Sequence, residues 1–425
     1  MNKKSIIFDL KKTRYTTPQK IIYKGLHALG RDVFMKVSIE KEELLKGIQA
    51  VIDIVPSKTA LPVLSNILID ANNGSDVCLS ATDLDISITC KLSATIEDAG
   101  ATTVPARKFS EIVRELPEES LSLTAEEGRV TLQRQSGAEG TYALMSVPSD
   151  DFPDLPTEID GPEIAFLSDE DEDAQDSSAD SNVLSEMISK TIFAVSRDET
   201  RPVLTGVLWQ VGNGRMTMVA TDGHRLVKYS RIQDGLPDNN REAIVPPHAL
   251  NQVVKLMGGG SDLQKVQLGQ SHVLFSLGDE DAIQIFSRLI EGPYVDYEQV
   301  IPQNNGKRLR VSNSQLLPAV RRVSILASAQ THQLRLELKK DELALSATSQ
   351  EIGGEARESV GVEYDEDEMT IGYNSGYLQD VLRRINCDEI LFELDSAVAA
   401  GIIRPGEQLE GEDYLCLLMP LRLND

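Results

Sequence analysis

Apolar residues along this chain follow two rhythms, one of three to four residues and one of two, and the same succession of rhythms occurs three times. The longer rhythm is clearest at Leu44, Leu45, Ile48, Val51 and Ile52, with Lys41 ahead of them and Lys46 among them. That spacing is the apolar stripe of an amphipathic helix. A helix-like segment is expected within residues 37–55, another within 181–195 (Leu184, Met187, Ile188, Ile192) and a third within 309–326 (Leu316, Leu317, Val320, Val323). A second helix per unit is expected at 106–116, 247–257 and 377–385. The first two follow Pro105 and Pro246, and a helix start tolerates proline because the amide hydrogen it lacks would be unsatisfied there. Between the helices the period is two, predicting strands at 63–69, 120–132, 204–209, 273–287, 334–338 and 390–394.

A short motif marks the same place in each unit. LSATD at 79–83, MVATD at 218–222 and LSATS at 345–349 each follow a β-rich stretch. Such domain-sized spacing means repeated domains rather than a solenoid. Only the middle copy continues into GHRL at 223–226. Proline and glycine clusters at 148–162 and 301–307 suggest boundaries, giving domains at 35–156, 163–302 and 307–425, each large enough for its own core.

Two stretches stand outside the repeat. Residues 168–181 are rich in Asp, Glu and Ser with no apolar anchor, and read as an exposed acidic insertion whose carboxylates repel one another. Residues 1–34 carry eight Lys and Arg against Asp9 and Asp32. They read either as a flexible basic arm or as translation from a start upstream of Met35. No apolar run is long enough to span a bilayer or act as a signal peptide. Cys78, Cys90, Cys387 and Cys416 are scattered without metal-ligand spacing, which fits a reducing cytoplasm and predicts no metal. Asp83, Asp222 and His224 lack a nucleophile motif, a phosphate loop or a dinucleotide fingerprint around them, so no enzyme and no cofactor is expected.

Four segments then carry a resemblance: ATTVPARKF at 101–109, DFPDL at 151–155, VATDGHRL at 219–226 and MPLRL at 419–423. In this order, over a threefold repeat, the chain from about Met35 to Leu423 resembles the bacterial sliding clamps, the beta subunits of DNA polymerase III. The resemblance implies an α+β fold of three clamp domains, antiparallel sheets outside and two helices per domain inside, closed by a head-to-tail homodimer around double-stranded DNA. It implies a noncatalytic processivity factor whose partners are the polymerase III alpha subunit, the clamp loader delta subunit, other DNA polymerases and mismatch-repair proteins.

Charge sets a condition on that expectation. Lys plus Arg is 42 against 67 Asp plus Glu, a net charge of −25, whereas a duplex is a dense polyanion. An acidic peptide-binding scaffold that encircles nothing is the alternative. However, Lys41, Lys46, Arg107, Lys108, Arg114, Lys190, Lys255, Arg321, Arg322, Arg383 and Arg384 lie on or beside the expected helices, with Lys58 in the loop after the first. If the helices face a hole, its lining is basic while the exterior is acidic. Such a lining attracts phosphates without reading bases.

The resemblance also implies a partner-peptide pocket between the second and third domains. It would be formed by Thr221, Gly223, His224, Arg225 and Leu226, by Val295, Gln299 and Val300, by Asn374 and Tyr377, and by Leu418, Met419, Pro420, Leu421, Arg422 and Leu423. Val295, Gln299 and Leu421 depart from residues common in the family, as does Lys58. The implied dimer contact comprises Ile325, Leu326, Glu351, Glu355 and Glu358 facing a first-domain strand. In that strand SGAEG at 136–140 lacks the family's arginines, leaving Arg134 nearby.

Overall fold

The computed structural model describes residues 33–72, 74–135, 140–156, 159–166, 178–233, 236–351 and 353–423. The basic stretch 1–32 and acidic residues 168–177 lie outside the described residues.

The first repeat runs β1 (Val33–Glu40), α1 (Lys41–Val51), β2 (Asn66–Asp70), β3 (Asp76–Thr82), β4 (Ile86–Ser93), β5 (Thr95–Asp98) and β6 (Ala101–Pro105). It continues with α2 (Ala106–Glu115), β7 (Ser120–Glu126), β8 (Arg129–Arg134), β9 (Thr141–Met145) and β10 (Val147–Pro148). The second holds β11 (Glu163–Ala165), α3 (Ser178–Thr191), β12 (Val207–Gly212), β13 (Arg215–Thr221) and β14 (Arg225–Ile232). Then come β15 (Arg241–Val245), α4 (Pro247–Gly258), β16 (Leu263–Leu268), β17 (His272–Leu277) and β18 (Ile283–Arg288). The third holds β19 (Lys307–Ser312), α5 (Asn313–Ser324), β20 (Gln333–Lys339), β21 (Glu342–Ser349) and β22 (Gly354–Gly361). It ends with β23 (Met369–Asn374), α6 (Ser375–Arg384), β24 (Glu389–Leu394), β25 (Gly401–Pro405) and β26 (Glu412–Leu418).

Each repeat contributes half-sheets that join across repeat boundaries. The order β10-β6-β2-β3-β4-β18-β17-β16-β11 spans repeats one and two through β4·β18, and β15-β12-β13-β14-β26-β25-β24-β19 spans two and three through β14·β26. In the second junction Arg225 to Arg231 register with Leu418 to Glu412. What remains is a five-stranded sheet ending in β9 and a four-stranded sheet ending in β22. By position in the repeat, β9 corresponds to β18 and β26, and β22 corresponds to β4 and β14. The chain thus carries one more pair of the same complementary edges, without strand partners on their outer sides among the described residues.

The helices pack in pairs, α1 on α2, α3 on α4 and α5 on α6. Lys255 Nζ of α4 reaches Asp53 Oδ2 at 2.7 Å and the Gln49 carbonyl of α1 at 3.2 Å, so helices of successive repeats also adjoin.

Several expected boundaries move. Residues 33–40 form a strand, not the start of a helix, because Met35, Val37 and Ile39 alternate inward at period two before the helical period begins. β1 therefore also takes in Val33 and Phe34, which the sequence grouped with the basic extension. Helix α3 begins at Ser178, so the acidic stretch expected to end at 181 runs into helix. The long strands expected at 120–132 and 273–287 are hairpins, broken at Gly128 (φ 70°) and Gly278 (φ 72°).

The recurring motif closes a hairpin. Thr82 Oγ1 donates to the Ile86 carbonyl and accepts from Leu84 N, while Asp83 Oδ1 accepts from the amides of Asp85 and Ile86. Thr221 and Asp222 repeat this with Arg225, Gly223 and His224. In the third copy, pairing runs one residue further, to Ser349↔Gly354 instead of stopping at the threonine. Position 349 is therefore a buried strand residue and no aspartate is needed to cap the turn.

Candidate partner pocket and helix lining

The GHRL turn sits at one end of the junction between the second and third repeats. The Met419 amide donates to the His224 carbonyl at 2.9 Å, locking the C-terminal segment across the turn. Beyond it the Leu421 amide donates to the Gly372 carbonyl at 2.8 Å. A β-carbon on Gly372 would lie 2.7 Å from Leu423 Cδ2, so glycine is what lets the tail lie on β23.

Beside this turn, Leu208, Val219, Leu226, Ile244, Tyr297, Ile402, Leu415 and Leu417 form a separate apolar cluster, edged by Val203, Ile290, Tyr294, Ile301 and Ala400. Val295, Val300 and Met419 are exposed. Burial pushes the Tyr294 phenol well above its usual range and the Tyr297 phenol to about 12. Both stay neutral and act as apolar wall with one polar tip, Tyr297 donating to Gln210 at 2.9 Å. An exposed apolar rim over a packed apolar floor is what a short amphipathic peptide requires.

The sixteen pocket candidates do not all face this surface. Thr221, Gly223, His224, Leu226, Met419, Pro420, Leu421, Arg422 and Leu423 come together around the turn and tail; Leu226 and Leu418 are core. Gln299 turns its amide to Asp296 at 2.6 Å. Asn374 Oδ1 accepts the Gly376 and Tyr377 amides, capping α6 where the other repeats have Pro105 and Pro246.

Arg225 differs most from the expectation. Its side chain is 9% exposed and fully engaged, Nε with Asp222 Oδ2 at 3.2 Å, Nη1 with Asp380 Oδ2 at 2.8 Å and Nη2 with the Phe193 carbonyl at 2.7 Å. The guanidinium also lies 4.4 Å from the Tyr377 ring centre and 5.3 Å from that of Phe193. It pins the third repeat to the second, with each of its three nitrogens bonded within the chain.

The basic candidates divide in a similar way. Lys46, Lys58, Arg107, Arg114 and Arg321 are exposed. Lys108 is exposed and paired with Glu111 at 2.6 Å. Lys255, Arg322, Arg383 and Arg384 are exposed as well, Arg322 against Glu358 and Arg384 over the Phe193 ring. Lys41 does not belong with them. It continues the buried stripe of α1 with Leu44, Ile48 and Val51, and its ammonium meets Glu118 at 2.6 Å. Lys190 is also largely covered, 2.5 Å from Glu186 and over the rings of Tyr229 and Tyr414. Arg197, not among the basic candidates, is likewise exposed in the loop after α3. Aligning 52–55 with 192–195 as equivalent turns would have set it beside Lys58.

Of the expected dimer residues, Ile325 is 75% exposed and Glu351 and Glu355 are exposed, with Leu326 half-buried. Arg134 is turned to Glu119, and Glu358 to Arg322, within the chain. Neither is a free charge for a partner. SGAE at 136–139 lies outside the described residues. Among the described residues no cluster of His, Cys, Asp or Glu is arranged to hold a metal ion, and no helix is long and apolar enough to cross a membrane.

Three copies of one two-sheet unit, joined strand to strand and carrying paired helices, define a DNA-clamp fold. Residues 35–156, 178–296 and 298–422 match, in order, the N-terminal, central and C-terminal domains of the DNA polymerase III beta subunit. The chain is 30% identical to the beta sliding clamp of Escherichia coli K12 over 391 residues, covering 92% of this chain and 100% of that protein. It is 30% identical to that of Bacillus subtilis, covering 91% and 100%. The crystal structure of the Pseudomonas aeruginosa DNA polymerase III subunit beta superposes with a TM-score of 0.81 at 29% identity, covering 92% of this chain and 100% of that one. The chain belongs to the DNA polymerase III beta subunit family, the beta sliding clamps.

Proposed function

We propose that this protein is a sliding clamp: two copies close head to tail around double-stranded DNA and tether the replicative polymerase. The carrying observation is the edge pattern. β4·β18 and β14·β26 join successive repeats, and β22 and β9 are the same two edges left over at the chain's ends. A second copy completes both, satisfying backbone groups that otherwise face water along exposed Tyr142 and Met145. The exposed cations on the helices support a lining that holds phosphates without base contacts, so the ring slides and is retained by topology. The protein itself is noncatalytic and cytoplasmic. Its pocket takes short leucine- or phenylalanine-containing segments of the polymerase III alpha subunit, the clamp loader delta subunit, other DNA polymerases and mismatch-repair proteins in turn. The test is retention after loading on circular duplex, followed by linearisation. Loss on linearisation alone is expected; equal loss from both forms would contradict encirclement and favour an acidic peptide scaffold.

A further inference from the structure

Asp380 on α6 stands between the two surfaces just described. Its Oδ2 is 2.8 Å from Arg225 Nη1, behind the partner turn, and its Oδ1 is 3.8 Å from Nη1 of Arg383, one of the cations expected to meet DNA. Arg383 is half-exposed and also donates to Gln379 at 3.0 Å. Arg225 is buried and bonded to the Asp222 carboxylate that caps the GHRL turn. The same helix carries Tyr377 against the Arg225 guanidinium, and Phe193, whose carbonyl takes Arg225, lies under Arg384 at 5.9 Å. An uninterrupted run of charged contacts therefore leads from the peptide turn to the helix lining. Neither other repeat has it, since Ile86 and Gly354 hold the place of Arg225 as the first residue of the returning strand.

We propose that this shared carboxylate couples duplex occupancy to partner affinity. The coupling rests on the clamp reading above. Asp380 hydrogen-bonds Arg225 and, at 3.8 Å, attracts the Arg383 guanidinium through charge alone, so its charge is shared between the two. When a duplex phosphate takes Arg383, Asp380 is left to Arg225 alone, and α6 is held more firmly against the β13–β14 turn. The pocket edge formed by His224 and Met419 is then ordered before a peptide arrives, and less of the binding free energy goes into ordering it. Linkage makes the effect reciprocal, so a bound peptide also strengthens the hold on DNA.

The experiment titrates a short fluorescein-labelled peptide carrying a Leu-Phe pair into the full-length protein, free and loaded on circular duplex. The expected result is a Kd about two- to five-fold lower on DNA, the range that one exposed ion pair supports. In Arg383→Gln the free protein should already bind at the tighter value and loading should add nothing. In Asp380→Asn binding should be weaker and equal in both states, which loss of structural support alone would not produce. Equal wild-type Kd on and off DNA, or a full shift persisting in Arg383→Gln, would overturn the coupling while leaving the pocket intact. Absence of peptide binding in either state would overturn the pocket reading and the coupling with it.

Discussion

Leu84 and Gly223 occupy the same position in the same turn, with φ of 85° and 90°. Each donates its amide to the preceding threonine, Leu84 to Thr82 at 3.0 Å and Gly223 to Thr221 at 3.1 Å. The backbone geometry is a property of the Thr-Asp turn, and leucine adopts it despite its β-carbon. A side chain in the left-handed region costs on the order of 1–2 kcal/mol, partly offset because glycine loses about 0.5–1 kcal/mol more entropy on folding. Leu84→Gly should therefore be neutral or stabilising by up to about 1 kcal/mol in urea unfolding. Gly223→Ala should be destabilising by about 1 kcal/mol, since its space is open apart from the flexible Arg201. A clear loss of stability in Leu84→Gly would show that its half-exposed side chain contributes more than the turn strain.

Arg225→Ala leaves Asp222 and Asp380 without their shared cation at the junction. We expect a loss of about 2–4 kcal/mol, the lower part of the range for a broken buried pair because Asp380 is 38% exposed. Arg225→Lys should recover little, since an ammonium cannot hold two carboxylates and a carbonyl while stacking on Tyr377. Urea unfolding of both variants measures this, and recovery by lysine would contradict it.

Asp413 ties the third repeat to the second through Lys228 at 3.0 Å and also pairs with Arg404 of its own repeat at 2.8 Å. Burial pushes its carboxyl up, but the hydrogen bonds and charges of Lys228 and Arg404 outweigh burial and hold it below 3.8. A depressed folded-state pKa contributes stability that is fully present above the unfolded value and is lost as pH falls through the folded value. The difference in unfolding midpoint between wild type and Asp413→Asn should be constant from about pH 5 to 8 and shrink below about pH 4. A difference that changes near neutrality would point to another group.

Ile325 is 75% exposed and lies outside the core clusters. Ile325→Asp should halve the solution mass from twice 46.7 kDa with little change in circular dichroism. An unchanged mass would mean that the interface does not include this loop.

Arg107 and Lys41 provide a matched pair for the helix lining, one exposed and one buried against Glu118. Arg107→Gln should reduce the salt dependence of DNA association by about one phosphate's worth. Lys41→Met should leave that slope unchanged, and a fall in the slope would place Lys41 against DNA after all.

The repeat, the six helices, most strands and the family were legible in the sequence because hydrophobic period and turn chemistry are local properties. The misplaced helix start at 37 shows the limit of that reading. Met35, Val37 and Ile39 already alternate at period two, but the run is short and abuts the helical stripe, and pairing of β1 with β7 fixes it as a strand. The site was legible as a set of residues but not as a set of roles. Whether a lysine lies on a helix can be read from spacing; whether it points inward, as Lys41 does, depends on which stripe the sheet covers. That Arg225 ties the third repeat to the second depends on Asp380 and Phe193, which lie 155 and 32 residues away along the chain. By itself the sequence determined the unit, its number of copies and the one copy that differs, since these follow from each segment's own pattern. Tertiary structure alone decided which charges are spent within the chain and which edges stay open, because ion pairing and strand pairing are made between segments that sequence order leaves far apart.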